Sequence, residues 1–200
     1  MVDFHSKISI LIDRELKKSG EKEFARRRNR LVGEGVVSYG ARTSEIRKIV
    51  RKYQKGFQEL RITRDCFGIA SELISRKVLD DQMAGIFLLG LCQKTSEIGN
   101  IFRFEKLIAN YIDNWATCDA ISSEVVAKAL RDLPEEIETL YSWAQSKNKW
   151  LRRTALVTTI KLKNRIEYWN KISSQILSFF SEEKEPIVKS AMRWLKKEVG

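Results

Sequence analysis

Apolar residues recur at helical spacing along nearly the whole chain, and no stretch alternates apolar with polar as a half-buried strand would. Phe4, Ile8, Leu11, Ile12 and Leu16 form a first stripe, closed by Gly20. A basic helix with Arg26, Arg27, Arg28 and Arg30 follows, and Gly33 and Gly35 mark a loop. Thr43 caps the next helix, with Glu45 in its first turn and Ile46, Ile49, Val50 and Tyr53 as its stripe. The segment from Met83 to Leu91 is apolar almost all round, as a central buried helix would be. Further stripes run through Cys118, Ile121, Val125 and Ala129, through Leu151, Ala155, Thr158 and Leu162, and through Val188, Ala191, Met192 and Leu195. The chain's two prolines, Pro134 and Pro186, both stand where a helix tolerates proline, at its first position. The expectation is an all-α fold of about eleven helices. Helix pairs recur at roughly the 40-residue interval of stacked helical arrays. An α-solenoid of HEAT-like antiparallel helix pairs is therefore expected, forming a single domain over residues 1–200, with a compact irregular bundle as the other architecture.

Charge narrows the partner. The chain carries a net +11, unevenly spread. Residues 1–64 hold 17 Lys/Arg and 8 Asp/Glu, residues 65–145 hold 7 and 13, and residues 146–200 hold 13 and 5. Basic ends flanking an acidic middle suggest a polyanion, most simply nucleic acid. The three cysteines, Cys66, Cys92 and Cys118, lie far apart and read as buried thiols, with neither disulfide-framework nor zinc spacing. A single histidine, His5, leaves little material for a His-based triad or a His-rich metal site. No apolar run reaches the roughly 18 residues that would span a bilayer, and no signal-peptide pattern opens the chain, so a soluble cytoplasmic protein is expected.

The stretch Asp113-Asn114-Trp115-Ala116-Thr117-Cys118-Asp119-Ala120-Ile121-Ser122 joins two apolar segments. Thr117 is the expected N-cap of the second helix, with Asp119 in its first turn. Trp115 and Asp119 are four apart, so helical backbone projects both to one side. An indole beside a carboxylate suits a cationic ligand or transition state; equally, the pair can be a packed junction Trp and a capping Asp. Two residues lie off the core stripes. Trp194 falls roughly 120° from the stripe of the last helix, on the side of Ile187, Ser190, Lys197 and Glu198. Arg153 is bordered by Leu156 and Ile160, and an arginine in apolar company needs an anionic partner, because burying an unpaired charge is costly. Asp119, Glu124 or a phosphate could serve.

Four ordered motifs carry a resemblance: Tyr39-Gly40-Ala41-Arg42-Thr43-Ser44-Glu45-Ile46-Arg47, Trp115-Ala116-Thr117-Cys118-Asp119, Trp150-Leu151-Arg152-Arg153-Thr154-Ala155, and Ala191-Met192-Arg193-Trp194-Leu195. The chain resembles the AlkD-like DNA alkylation repair family, DNA glycosylases built from HEAT-like repeats. It departs from the family pattern at Ser44, where proline is common. The resemblance implies that Asp119 is the catalytic carboxylate, that Trp115 and Trp194 contact the sugar of the damaged nucleotide, and that Arg153 lines the same cleft. It places Arg42 near the DNA contacts of the first repeat. Lys197, one turn beyond Trp194, is an added expectation for a phosphate contact. The implied activity is hydrolytic excision of cationic N3- or N7-alkylated purines from duplex DNA by a monomer, without metal or organic cofactor. The competing class is a non-catalytic HEAT-like module that binds damaged or branched DNA, or a protein partner.

Overall fold

The computed structural model describes residues 4–33, 35–59, 65–92 and 101–200. Among these residues the chain is all-helical, with eleven helices and no strand. One isolated parallel bridge joins Val37 and Val78. A helical solenoid is compatible with this element order. Two compact units are formed, one from residues 1–98 with Tyr111–Thr117, the other from residues 99–110 with Cys118–Gly200.

In the first unit, α1 (Phe4–Lys18), α2 (Lys22–Val32), α3 (Thr43–Glu59), α4 (Cys66–Ser75) and α5 (Leu79–Cys92) occur in order. α5 is the buried helix that its all-round apolar sequence predicts, and α1, α3 and α4 pack on it. The first stripe is turned from its expected position: Leu11 is exposed, whereas Ser9 and Asp13 join Ile12 and Leu16 on the buried side. Asp13 is drawn inward by partners, accepting from Lys17 at 2.8 Å and from the Tyr39 hydroxyl at 2.7 Å. Cys66 and Cys92, expected as separate thiols, are joined as a disulfide; the packing of α4 on α5 brings together residues 26 apart in sequence.

The fully buried Asp80 organises the loop before α3. Its carboxylate accepts from Ser38 Oγ at 2.7 Å, Tyr39 N at 2.8 Å, Ala41 N at 2.9 Å and Arg28 Nη1 at 3.1 Å. Gly40 sits in this loop at φ +85°, and a Cβ there would meet the Glu21 carbonyl at 2.2 Å, so only glycine fits. Pinning residues 38–41 fixes where α3 begins and so where Arg42 stands.

α6 (Phe102–Tyr111) leads to α7, a long helix of three parts: α-helical Trp115–Ile121, a π turn at Ser122–Val126, and α-helical Ala127–Asp132. Its cap is Asn114 rather than Thr117. Asn114 Oδ1 accepts from Thr117 N at 3.0 Å, the N-cap geometry, while Thr117 lies buried inside the first turn. Its stripe also departs from expectation: Leu130 is buried and Ala129 only half so. The second unit continues with a 3₁₀ turn opened by Pro134, then α8 (Glu138–Ala144), α9 (Lys149–Lys161), α10 (Trp169–Ser178) and α11 (Pro186–Val199). α9 is its centre, capped by Asn148, packed against α8, α10, α11 and the π turn of α7, and buried from Arg153 to Ile160.

Asp81 gives this fold a pH dependence. Burial, then the neighbouring negative charge of Asp13, push its carboxyl up to about 7 against the opposing pull of Arg76 and the Tyr39 hydroxyl. The folded chain thus holds this proton more tightly than the unfolded chain, whose value is near 3.8. The stability it contributes is complete below about 3.8 and lost as pH rises through about 7. Melting temperature should therefore fall between about pH 4 and 7 and level off above, by about 2–4 °C for each kcal/mol lost. Asp81→Asn should flatten that fall. Calorimetry of both proteins across the range checks this, and parallel curves would refute it.

Candidate functional site

In the second unit Arg153 is paired with Asp119 and bonded to α11, the helix that carries Trp194. The Arg153 side chain projects from α9 with only 7% of its surface exposed. Its Nε donates to Asp119 Oδ1 and its Nη2 to Asp119 Oδ2, both at 2.8 Å, a bidentate fork. Its Nη1 donates to the Ile187 carbonyl at 2.6 Å and to Ser190 Oγ at 2.9 Å on α11. Of the anionic partners open to Arg153, the structure selects Asp119, while Glu124 pairs with Lys128 at 2.9 Å. α7, α9 and α11 are tied through one guanidinium.

Asp119 keeps 22% of its side-chain surface exposed. Each oxygen accepts one N–H from Arg153 and retains a further lone pair for a water or a cation. The neighbouring Cys118 is not a candidate nucleophile. Burial pushes its thiol up to about 12, and its sulfur lies 3.3 Å from Thr154 Oγ1.

Trp194 stands on α11 on the same side as Ile187 and Ser190, seven and four residues before it. It is half-buried, as its position off the stripe of Val188, Ala191 and Leu195 requires. Its indole N–H donates to Glu198 Oε1 at 3.3 Å, and the Lys161 ammonium lies 4.8 Å from its ring centroid. The ring thus already receives a cation on its face. Lys197 is exposed at the end of α11. Trp115 opens α7, one turn before Asp119, and is half-buried. Arg42 belongs to the first unit, where its exposed guanidinium makes two bonds to Glu21, at 2.8 and 3.2 Å, and lies 5.3 Å from the Phe24 ring centroid.

Sequence reasoning missed Ser190 as a partner of Arg153. The signal was present in Ile187-x-x-Ser190-x-x-x-Trp194, a spacing that sets all three on one helical face. Lys161 as a companion of Trp194 had no comparable signal, because the two residues come from different helices. Among the described residues, no group of three or more His, Cys, Asp or Glu side chains could hold a metal ion, and no helix is long and apolar enough to cross a membrane.

A family model described as DNA alkylation repair enzyme matches residues 12–200, a span that takes in the second unit and most of the first. No curated protein matches the chain.

The pair of Arg153 and Asp119 also stabilises the fold. Breaking a buried ion pair strands the remaining charge, at about 3–5 kcal/mol. Arg153→Ala should fall at the low end, about 3 kcal/mol, because Asp119 retains contact with water. Urea denaturation measures the loss; a change below about 0.5 kcal/mol, as at an ordinary surface site, would refute it.

Proposed function

The chain belongs to the DNA alkylation repair enzyme family, and from that premise we propose that it is a glycosylase removing cationic N3- or N7-alkylated purines from duplex DNA. A single observation carries the reading: a carboxylate, Asp119, is held by two arginine N–H groups yet stays open to a ligand.

An N3- or N7-alkylated purine is positively charged and departs as a neutral base, so its leaving needs little help from a general acid. As the C1′–N bond stretches, positive charge passes to the sugar. Asp119 meets that charge and orients a water, whose oxygen bonds to C1′ while its proton is taken up by the carboxylate. The electron pair of the broken bond leaves with the base. Arg153 holds the carboxylate so that no reorientation is needed as charge develops. Trp194, and Trp115 by family resemblance, offer indole faces to the oxocarbenium-like sugar, each worth on the order of 1 kcal/mol. The Lys161 ammonium against Trp194 supports this use of the ring. Arg42, Lys197 and the basic ends engage phosphates, so binding weakens with salt. Neutral lesions such as uracil gain little from this arrangement. Within this proposal the protein acts as a monomeric single domain in the cytoplasm, and needs no metal.

The test is the release of 7-methylguanine and 3-methyladenine from methylated duplex DNA. Wild type should release base, and Asp119→Asn should be slower by about 10²–10³-fold. Equal release by both proteins would overturn the mechanism. DNA binding without release by wild type would favour a non-catalytic module.

A further inference from the structure

The π turn at Ser122–Val126 begins three residues after Asp119 and interrupts α7 in mid-course. Within it Ala127 N donates to the Ser122 carbonyl, five residues back instead of four. The turn therefore holds one residue more than an α-helical turn, and the helix beyond it is rotated by about 100° relative to the helix before it.

The burial pattern records that shift. Up to the first residue of the turn the buried residues are Thr117, Cys118, Ile121 and Ser122; from its last two residues onward they are Val125, Val126, Ala127 and Leu130. Helical angles put the centres of these two sets about 135° apart when the α-helical period is run through without interruption. A helix that buries a single face, as this one does with Ala120, Ser123, Glu124, Lys128 and Ala129 only half-buried, cannot bury both sets without a break. If the register of Val126 and Leu130 were continued backward at the α-helical period, Asp119 would fall within about 10° of the middle of the core face, and Ile121 on the far side. With the extra residue, Ile121 is fully buried and Asp119 lies to the side, where Arg153 meets it.

Two hydroxyls add bonds to the carbonyls one turn before the π turn. Ser122 Oγ donates to the Cys118 carbonyl at 2.7 Å. Ser123 Oγ contacts the carbonyl of Asp119 itself at 2.9 Å and that of Ala120 at 3.2 Å. The backbone on which the carboxylate stands is thereby held from below. We propose that the π turn, with Ser122 and Ser123 as its positioning residues, aims Asp119 at Arg153 and at the reacting sugar. The step at the sugar rests on the proposed glycosylase function; the aim at Arg153 does not.

The first test is independent of activity. A double-mutant cycle with Asp119→Ala and Arg153→Ala, read by urea denaturation, gives the coupling between the two side chains. The cycle is repeated with Ser123 deleted, which restores α-helical spacing, and in the double variant Ser122→Ala, Ser123→Ala. The coupling should vanish on deletion and fall by at least half in the alanine background. If the deletion variant does not fold, the alanine background decides alone, and unchanged coupling there overturns the proposal. Release of 7-methylguanine is the second readout. Ser123→Ala should lower kcat by about 10–10²-fold with little change in KM, and Ser123→Thr, which keeps the hydroxyl, should restore it. Equal changes in both variants, or a change in KM alone, would overturn the positioning role at the sugar. A wild type without release would instead refute the glycosylase reading and leave the coupling result to decide the aim at Arg153.

Discussion

A guanidinium cannot be buried alone, and α9 buries one. Arg153 sits on a helix hidden from Arg153 to Ile160, so leaving its charge unpaired would cost more than most single contacts return. The sequence around it offers threonines and aliphatic side chains, none able to neutralise it. Its partners therefore come from other helices: the carboxylate of Asp119 on α7, and a carbonyl and a hydroxyl on α11. Three helices distant in sequence are fixed by one electrostatic requirement. The same requirement orients Asp119, because a bidentate fork leaves a carboxylate little freedom to rotate.

The first unit solves the converse problem. Asp80 is a fully buried side chain, and it gathers two backbone N–H groups, a serine hydroxyl and Arg28. Here the side chain holds a loop in place, and its donors are mostly uncharged. Asp13 and Asp81 share Tyr39 between them, and their situation differs from that of Asp80. Asp81, buried with a single long donor at 3.2 Å and a like charge alongside, holds on to its proton.

Much of this could be read from residue order because it depends on periodicity. The all-α class, the buried α5, the proline-opened α11 and the exposed side of Trp194 all rest on which residues share a helical face. The need of Arg153 for an anion was equally legible, since it arises from its apolar neighbours. Partner identity was less so: Asp119 and Glu124 were both candidates, and only packing separates them. Threonine often caps, which points to Thr117, yet the buried Asn114 at the mouth of α7 has the better geometry. The union of Cys66 and Cys92 depends on how two helices pack, which spacing along the chain does not encode. The half-buried state of Ala129, where full burial is expected, has a different cause. A period of 3.6 does not carry across a turn that has an extra residue, and every position beyond it moves by one.

The same extra residue bears on the proposed chemistry. On the proposed reading the site works through one carboxylate, Asp119, beside a buried thiol that is not a nucleophile. In that proposal the cationic alkylpurine carries most of the driving force itself, because it departs as a neutral base. The protein's remaining task is to hold negative charge where the sugar becomes positive. Charge stabilisation of this kind depends on distance and on preorganisation more than on the number of groups. A chain performing such a reaction has reason to keep a locally irregular helix and a buried ion pair, both of which a fold selected for stability alone would exchange for regular turns and aliphatic side chains.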